Sequence, residues 1–227
     1  MKDWLGGLGA WCMVCNRLLE RKDKHLCPTC YQNLPWFKTE ICFICGHHHL
    51  KGDCDEDFAK DIAEYQALFL YQEPVSAWIA GLKYGRNLLV GRLLKALVTQ
   101  WFIDNQEWLT QWDMVLPVPI HGLRLKARGF NQTTYLLTGQ KLLPVRGDWV
   151  KKTRYTKHQA ALGGRQRFTN LKRSFASSTE VEGKAVLLFD DVCTTGQTLD
   201  QIARTLKNQG VERIGALSLC RSKKAFS

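Results

Sequence analysis

The run 185–198, AVLLFDDVCTTGQT, constrains this chain more than any other stretch. An apolar strand leads into two adjacent carboxylates, Asp190 and Asp191, and then into a Thr-Thr-Gly-x-Thr sequence that opens a helix. The spacing predicts a strand over 184–189, a polar turn over 190–197, and a helix with Leu199, Ile202, Ala203 and Leu206 on one face, stopped by Gly210. A buried strand that feeds a helix through a polar turn belongs to an α/β fold, in which a ligand sits at the carboxyl ends of parallel strands.

Each part of the run has its own chemistry. Free N–H groups at the helix start, with the hydroxyls of Thr194, Thr195 and Thr198, suit a phosphate monoester, and Gly196 lets the backbone approach it closely. Asp190 and Asp191 would repel that phosphate, so they suit sugar hydroxyls, which donate to carboxylates, or a hydrated Mg²⁺. A sugar phosphate satisfies both halves. A purely structural account makes Thr195 or Thr198 a helix cap and the acids strand-end polar residues.

The rest of the chain divides at the acidic stretch Asp53, Asp55, Glu56, Asp57. Residues 1–57 are rich in Cys and His and short of periodicity, so they are expected to fold around metal and not around a core. Residues 58–227 carry strand and helix patterns. These predict a strand at 67–71, a helix after Pro74 bearing Val75, Trp78, Ile79 and Leu82, and a helix over 88–102. A strand over 113–118, a helix over 131–142 and a closing strand over 214–219 complete the pattern. No apolar run reaches the roughly 18 residues of a membrane span, and residues 1–13 lack a signal-peptide pattern, so a cytoplasmic protein without membrane insertion is expected.

Six of the nine cysteines form three Cys-x-x-Cys pairs, Cys12/Cys15, Cys27/Cys30 and Cys42/Cys45, a spacing that favours metal over disulfides. Cys12, Cys15, Cys27 and Cys30 have the arrangement of a structural Zn²⁺ knuckle pair. Cys42 and Cys45 open a second half-site whose completion rests with Cys54 or with His47, His48 or His49; the alternative is a degenerate, empty site. Cys193 and Cys220 stand outside the pairs, and Cys220 is expected to be buried at a strand end.

The formal charge is +11, and residues 122–173 hold 13 Lys or Arg against the single acid Asp148. Such a field suits a polyanion: pyrophosphate, a nucleotide or a nucleic acid backbone. In the loop expected after Pro117 and Pro119, Lys126, Arg128 and Gly129 bring cations and N–H groups together for a pyrophosphate. Lys83 closes an apolar helix face and either reaches the same anion or is a helix-end lysine extending to solvent. Arg154, Lys157, Arg165 and Arg167 flank Gly163 and Gly164 in either a mobile basic flap or a surface helix.

The sequence VLLFDDVCTTGQT resembles the signature with which type I phosphoribosyltransferases bind 5-phosphoribosyl-1-pyrophosphate (PRPP) together with Mg²⁺. The resemblance implies a parallel-sheet type I phosphoribosyltransferase-like domain preceded by a small cysteine-rich zinc module. It further implies that Asp190 and Asp191 contact the ribose and that Thr194, Thr195, Gly196, Gln197 and Thr198 hold the 5-phosphate. A wider match takes in the cysteine pairs, Leu82-Lys83-Tyr84, Val118-Pro119, Arg128-Gly129-Phe130-Asn131-Gln132, Gln159, Leu162, Arg165, Arg167 and Asn170, and resembles the ComF family. That family is associated with natural competence, which implies a PRPP-binding protein that handles incoming single-stranded DNA beside competence or recombination proteins. Trp36, Phe37, Phe130 and Tyr155 are candidate stacking surfaces for such DNA. The alternative is an active phosphoribosyltransferase that transfers phosphoribose to an acceptor with release of pyrophosphate; no catalytic base is assigned.

Overall fold

In the computed structural model the described residues are 11–20, 25–37, 61–85, 87–153 and 174–222. Cys42, Cys45, Cys54, the three histidines, the boundary at 57/58 and the basic segment from Arg154 to Asn170 lie outside them.

Four parallel strands form the centre, in the order β1-β6-β5-β2: β1 (Glu64–Leu70), β2 (Met114–Pro117), β5 (Ala185–Cys193) and β6 (Arg213–Arg221). Strands buried on both faces read as continuous apolar runs, which is why β6, IGALSLC, carries so little alternation. The pleat sends neighbouring side chains to opposite faces. Leu187, Phe189, Leu217 and Leu219 pack against Val75, Trp78, Ile79 and Leu82 of α2 (Val75–Tyr84) and Leu94, Val98 and Phe102 of α3 (Leu88–Asp104). Val186, Leu188, Ile214 and Ala216 pack on the other face against Leu199, Ile202, Ala203 and Leu206 of α7 (Gln197–Lys207). Truncating a fully buried leucine such as Leu206 to alanine is expected to cost about 2–5 kcal/mol. Gly215 is required by packing: a Cβ there would lie 2.4 Å from the Trp112 ring.

A second, antiparallel pair joins β3 (Val150–Lys152) to β4 (Phe175–Ser177). Both strands join the α7-side core through Val150 and Phe175.

The described amino-terminal residues carry the cysteine cluster and also share buried leucines with this core. Leu19, Leu26 and Leu34 are buried in the same cluster as Phe69 and Val75. The chain at Pro35 to Phe37 runs along β1, with Leu70 N–H donating to Pro35 O at 2.7 Å and Phe37 N–H to Leu68 O at 2.9 Å. Trp36 stacks on Phe69 with ring centroids 4.6 Å apart. A segment too short to bury its own apolar residues thereby covers an edge strand that would otherwise present unpaired backbone.

Three expectations change. The predicted turn at Asp190 is still strand, because Asp190 and Val192 pair with Ser218 and Cys220 of β6. The basic loop after Pro119 contains a helix, α5 (Gly122–Arg128), whose first turn is capped by His121 Nδ1 accepting from Leu123 N–H and whose end is closed by Gly129 at φ +88°. The helix predicted over 131–142 stops early, as α6 (Gln132–Leu137). Gln140 ends it: its side-chain oxygen accepts from the N–H groups of Leu142 and Leu143 while its amide donates to Leu143 O, which folds the chain into a turn.

Candidate functional site

Asp190 and Asp191 lie at the carboxyl end of β5 and, as neighbours in a strand, point to opposite faces of the sheet. Asp191, buried, faces the side covered by α2 and α6. Its Oδ1 accepts from Lys83 Nζ at 2.8 Å and its Oδ2 accepts from Gln132 Nε2. Gln132 is itself buried, and its Oε1 accepts from Arg128 Nη1. A continuous polar chain, Arg128 to Gln132 to Asp191 to Lys83, therefore joins α5, α6, β5 and α2.

Asp190 is half-buried and faces the side of β3. Burial and the Asp191 carboxylate push its carboxyl up to about 7, against the opposing pull of the Asp191 N–H at 2.8 Å and of Lys83 and Lys152. Burial and the Arg124 guanidinium push the Lys152 ammonium down, while Asp190 pulls it up. Arg124 and Arg128, four residues apart on α5, are half-buried; Lys126 between them is exposed. Lys83, Arg124, Arg128 and Lys152 thus gather cations around two acids.

Beyond Asp191 the strand ends at Cys193 and the chain turns through Thr194, Thr195 and Gly196 into α7. Thr194 and Thr195 are exposed, and Gly196 holds the left-handed φ of +71° that this turn requires. No side chain caps α7, so its first N–H groups and its positive dipole end remain available beside the two threonines. Gln197 is the first residue of the helix and is exposed; Thr198 is half-buried. Pro119 leaves the sheet immediately after Val118, whose N–H donates to Phe189 O at 2.8 Å, so the strand end that delivers α5 borders Asp190. An open turn rich in N–H and hydroxyl groups, two acids and a cation cluster meet at one end of the sheet.

The structure therefore brings Lys83, Arg128, Asp190, Asp191 and the 194–198 turn together. Trp36 and Phe37 pack against the core, and Phe130 lies edge-on to Tyr135 at 5.8 Å, so these rings are engaged inside the protein. The sequence reading missed Arg124, Lys152 and Arg221, and it noted Gln132 within the Arg128 to Gln132 match without giving it a role in the site. Arg124 was detectable by its spacing from Arg128 once α5 is recognised as a helix. Arg221 is signalled by a cation ending an apolar strand, and Lys152 by nothing.

The four amino-terminal cysteines converge. Their sulfurs lie within 4.8 Å of one another, and Cys15 Sγ is 3.8 Å from Cys27 Sγ. Thiolates about 2.3 Å from a tetrahedral Zn²⁺ stand roughly 3.8 Å apart, so the cluster fits that ion. Burial pushes the Cys12 thiol up, but N–H groups of Cys15, Cys27 and Val14 and the Cys15 thiol outweigh it and bring Cys12 down to about 6. The first turn is shaped by Asn16 at φ +55°, a conformation that asparagine tolerates well. Cys220, buried at the end of β6 as expected, has its thiol pushed up by burial.

Among the described residues no helix is long and apolar enough to cross a membrane. Residues 91–225 match the family model described as Phosphoribosyl transferase domain. Over 225 residues the chain is 33% identical to DNA utilization protein YhgH of Escherichia coli O6:H1, an alignment that covers 95% of this chain and 92% of that protein. It is 28% identical over 225 residues to Competence protein F of Haemophilus influenzae, covering 93% and 96% of the two chains. Competence protein ComFC of Streptococcus pneumoniae is 24% identical over 212 residues, with 92% and 87% covered.

Proposed function

The chain belongs to the ComF family, with a phosphoribosyl transferase domain, and from that premise we propose that it binds PRPP at the end of β5 and acts in the use of incoming single-stranded DNA. The observation that carries the reading is the junction of Asp190 with the open 194–198 turn. A carboxylate for sugar hydroxyls and a ring of N–H and hydroxyl donors for a phosphate stand side by side. The 5-phosphate would rest on the start of α7, the ribose beside Asp190, and the pyrophosphate toward Arg124, Arg128 and Lys152.

Mg²⁺ fits this arrangement as a companion of the ligand, since it is commonly held by one or two carboxylates plus phosphate oxygens. Asp190 is the carboxylate offered, because both oxygens of Asp191 already accept from Lys83 and Gln132. When bound, the ion would neutralise pyrophosphate charge. The DNA assignment rests on the names of the relatives and on the strongly basic composition.

The cation cluster favours a second reading, transfer of the phosphoribosyl group. In that reaction the bond from C1 to pyrophosphate breaks, the leaving group takes the electron pair, and an acceptor nucleophile bonds to C1. Cations already in place would stabilise the departing charge.

Pyrophosphate release from PRPP across a panel of nucleobases, beside a salt series of single-stranded DNA binding with and without PRPP, separates the two. Binding of DNA whose affinity falls steeply with salt, with no base-dependent pyrophosphate release, is expected for the DNA-handling role. Turnover with one base and no DNA affinity would replace it with the enzyme.

A further inference from the structure

Arg221 is the largest fully buried side chain among the described residues, and it ends the central strand β6 at the level of the phosphate turn. Its backbone is fixed on both sides, paired in register with Leu70 of β1 and Cys193 of β5. The guanidinium turns toward β5. Nη1 donates to Cys193 O at 3.1 Å and to Thr194 O, and lies 3.6 Å from Cys193 Sγ. Ser222 N–H adds a second donor to Cys193 O at 2.9 Å.

These contacts decide where the turn's own donors point. In a trans peptide the carbonyl of one residue and the N–H of the next point in opposite directions, and the one cis peptide bond among the described residues is at Glu73-Pro74. Holding Cys193 O and Thr194 O toward Arg221 therefore sends the N–H groups of Thr194 and Thr195 the other way, away from β6. Gly196 then reverses the chain into α7, whose first N–H groups continue the same set of donors. Nη1 carries two N–H groups, one for each carbonyl, and the planar guanidinium keeps its charge in a buried site and is longer than a lysine side chain, so an ammonium would not sit in the same place.

We propose that Arg221 is a positioning residue for phosphate binding: by holding the carbonyls of Cys193 and Thr194 it orients the N–H groups of Thr194 and Thr195 toward a phosphoryl group. The inference rests on the reading of the 194–198 turn as the 5-phosphate site. It makes Arg221 act through backbone and not by touching the ligand. It also separates the phosphate turn from the cations of α5 and β3, which take no part in holding it.

The separation supplies the test. Ribose 5-phosphate and inorganic pyrophosphate are titrated calorimetrically into the full zinc-loaded chain and its Arg221→Lys variant. The substitution is expected to weaken ribose 5-phosphate about tenfold, the size of one misdirected charge-assisted hydrogen bond, and to leave pyrophosphate within about twofold. Unchanged ribose 5-phosphate affinity overturns the proposal, and so does an equal loss of both ligands, the mark of a general structural role. Should the variant not fold, Arg221→Gln replaces it: Thr194 and Thr195 N–H signals that move downfield with ribose 5-phosphate in the unmodified protein and not in this variant support the inference, and an equal movement in both overturns it. If the unmodified protein binds pyrophosphate but neither ribose 5-phosphate nor PRPP, the turn is not a phosphate site and the underlying reading fails first.

Discussion

The four-cysteine cluster and the acid-and-turn site are organised in opposite ways. The sulfurs come from a turn at 12–15 and the start of a short helix, α1 (Pro28–Gln32), in a segment whose Leu19, Leu26 and Leu34 are buried in the same cluster as Phe69 of β1. The oxygen and nitrogen groups of the second site are fixed before any ligand arrives. Asp191 is bonded to Lys83 and Gln132, the turn is bonded to Arg221, and the strands beneath are fully buried. In the first region the ion would organise the protein; in the second the protein organises the place for the ligand. The contrast teaches that one sheet can carry both a cysteine cluster on a segment without its own core and a polar site held rigid by its own hydrogen bonds.

The largest effect is expected where the metal is the organiser. Removing Zn²⁺ with a chelator, or making Cys12→Ser with Cys15→Ser, takes away an ion whose binding contributes on the order of 10 kcal/mol to such folds. Amide exchange over residues 11–34 should become fast, while PRPP affinity changes less than about threefold, a spread expected of a distant site. Loss of PRPP binding along with the metal would erase the distinction between the two regions.

The second region should instead respond to its internal partners. Lys83→Met leaves the Asp191 carboxylate buried with one cation fewer, and both side chains are largely shielded. Chemical denaturation should report a loss of about 2–3 kcal/mol. A variant as stable as the parent would mean that the pair does not hold the site in shape.

Asp190→Asn removes a carboxyl that forms no ion pair within 4 Å among the described residues. Its expected loss falls on ligand: PRPP affinity should drop about thirtyfold, the loss of roughly 2 kcal/mol for a charge-assisted contact, with the melting temperature at neutral pH held or raised because a buried carboxyl no longer has to ionise. A lower melting temperature with intact affinity would make Asp190 a structural residue.

A smaller, graded effect follows from protonation. The Asp190 carboxyl is raised from 3.8 to about 7 in the folded chain, so the folded state holds its proton more tightly than the unfolded one. The stabilisation from that proton is complete below about pH 4 and disappears as pH rises through 7. Binding through the carboxylate runs the other way. PRPP affinity should rise with pH up to about 7 and then level off, and the slope should vanish in Asp190→Asn. A flat profile in the parent would remove Asp190 from ligand contact.

The same contrast explains what the sequence disclosed. The cysteine pairs and the DDVCTTGQT run were legible because their members are close along the chain and their spacing alone brings them together. Gln132 and Lys83 meet Asp191 across 59 and 108 residues, and no local pattern encodes such a meeting. Arg124 stayed hidden because α5 is short and basic and lacks a buried face from which its period could be read. The strand β5 was predicted to end at Phe189 because acids are poor strand formers, yet pairing with β6 carries it on to Cys193. The cores of α2 and α7 were visible as helical periodicity, which tertiary packing then confirmed residue by residue, and α3 was visible as a helix.

Titration of PRPP into the zinc-loaded chain in the presence of Mg²⁺, followed by calorimetry at pH 8, tests the central claim most directly. A saturable heat with one molecule bound per chain, greatly weakened by Asp190→Asn, is the predicted result. A folded protein that evolves no heat would contradict the assignment of the carboxyl end of β5 to an activated sugar phosphate.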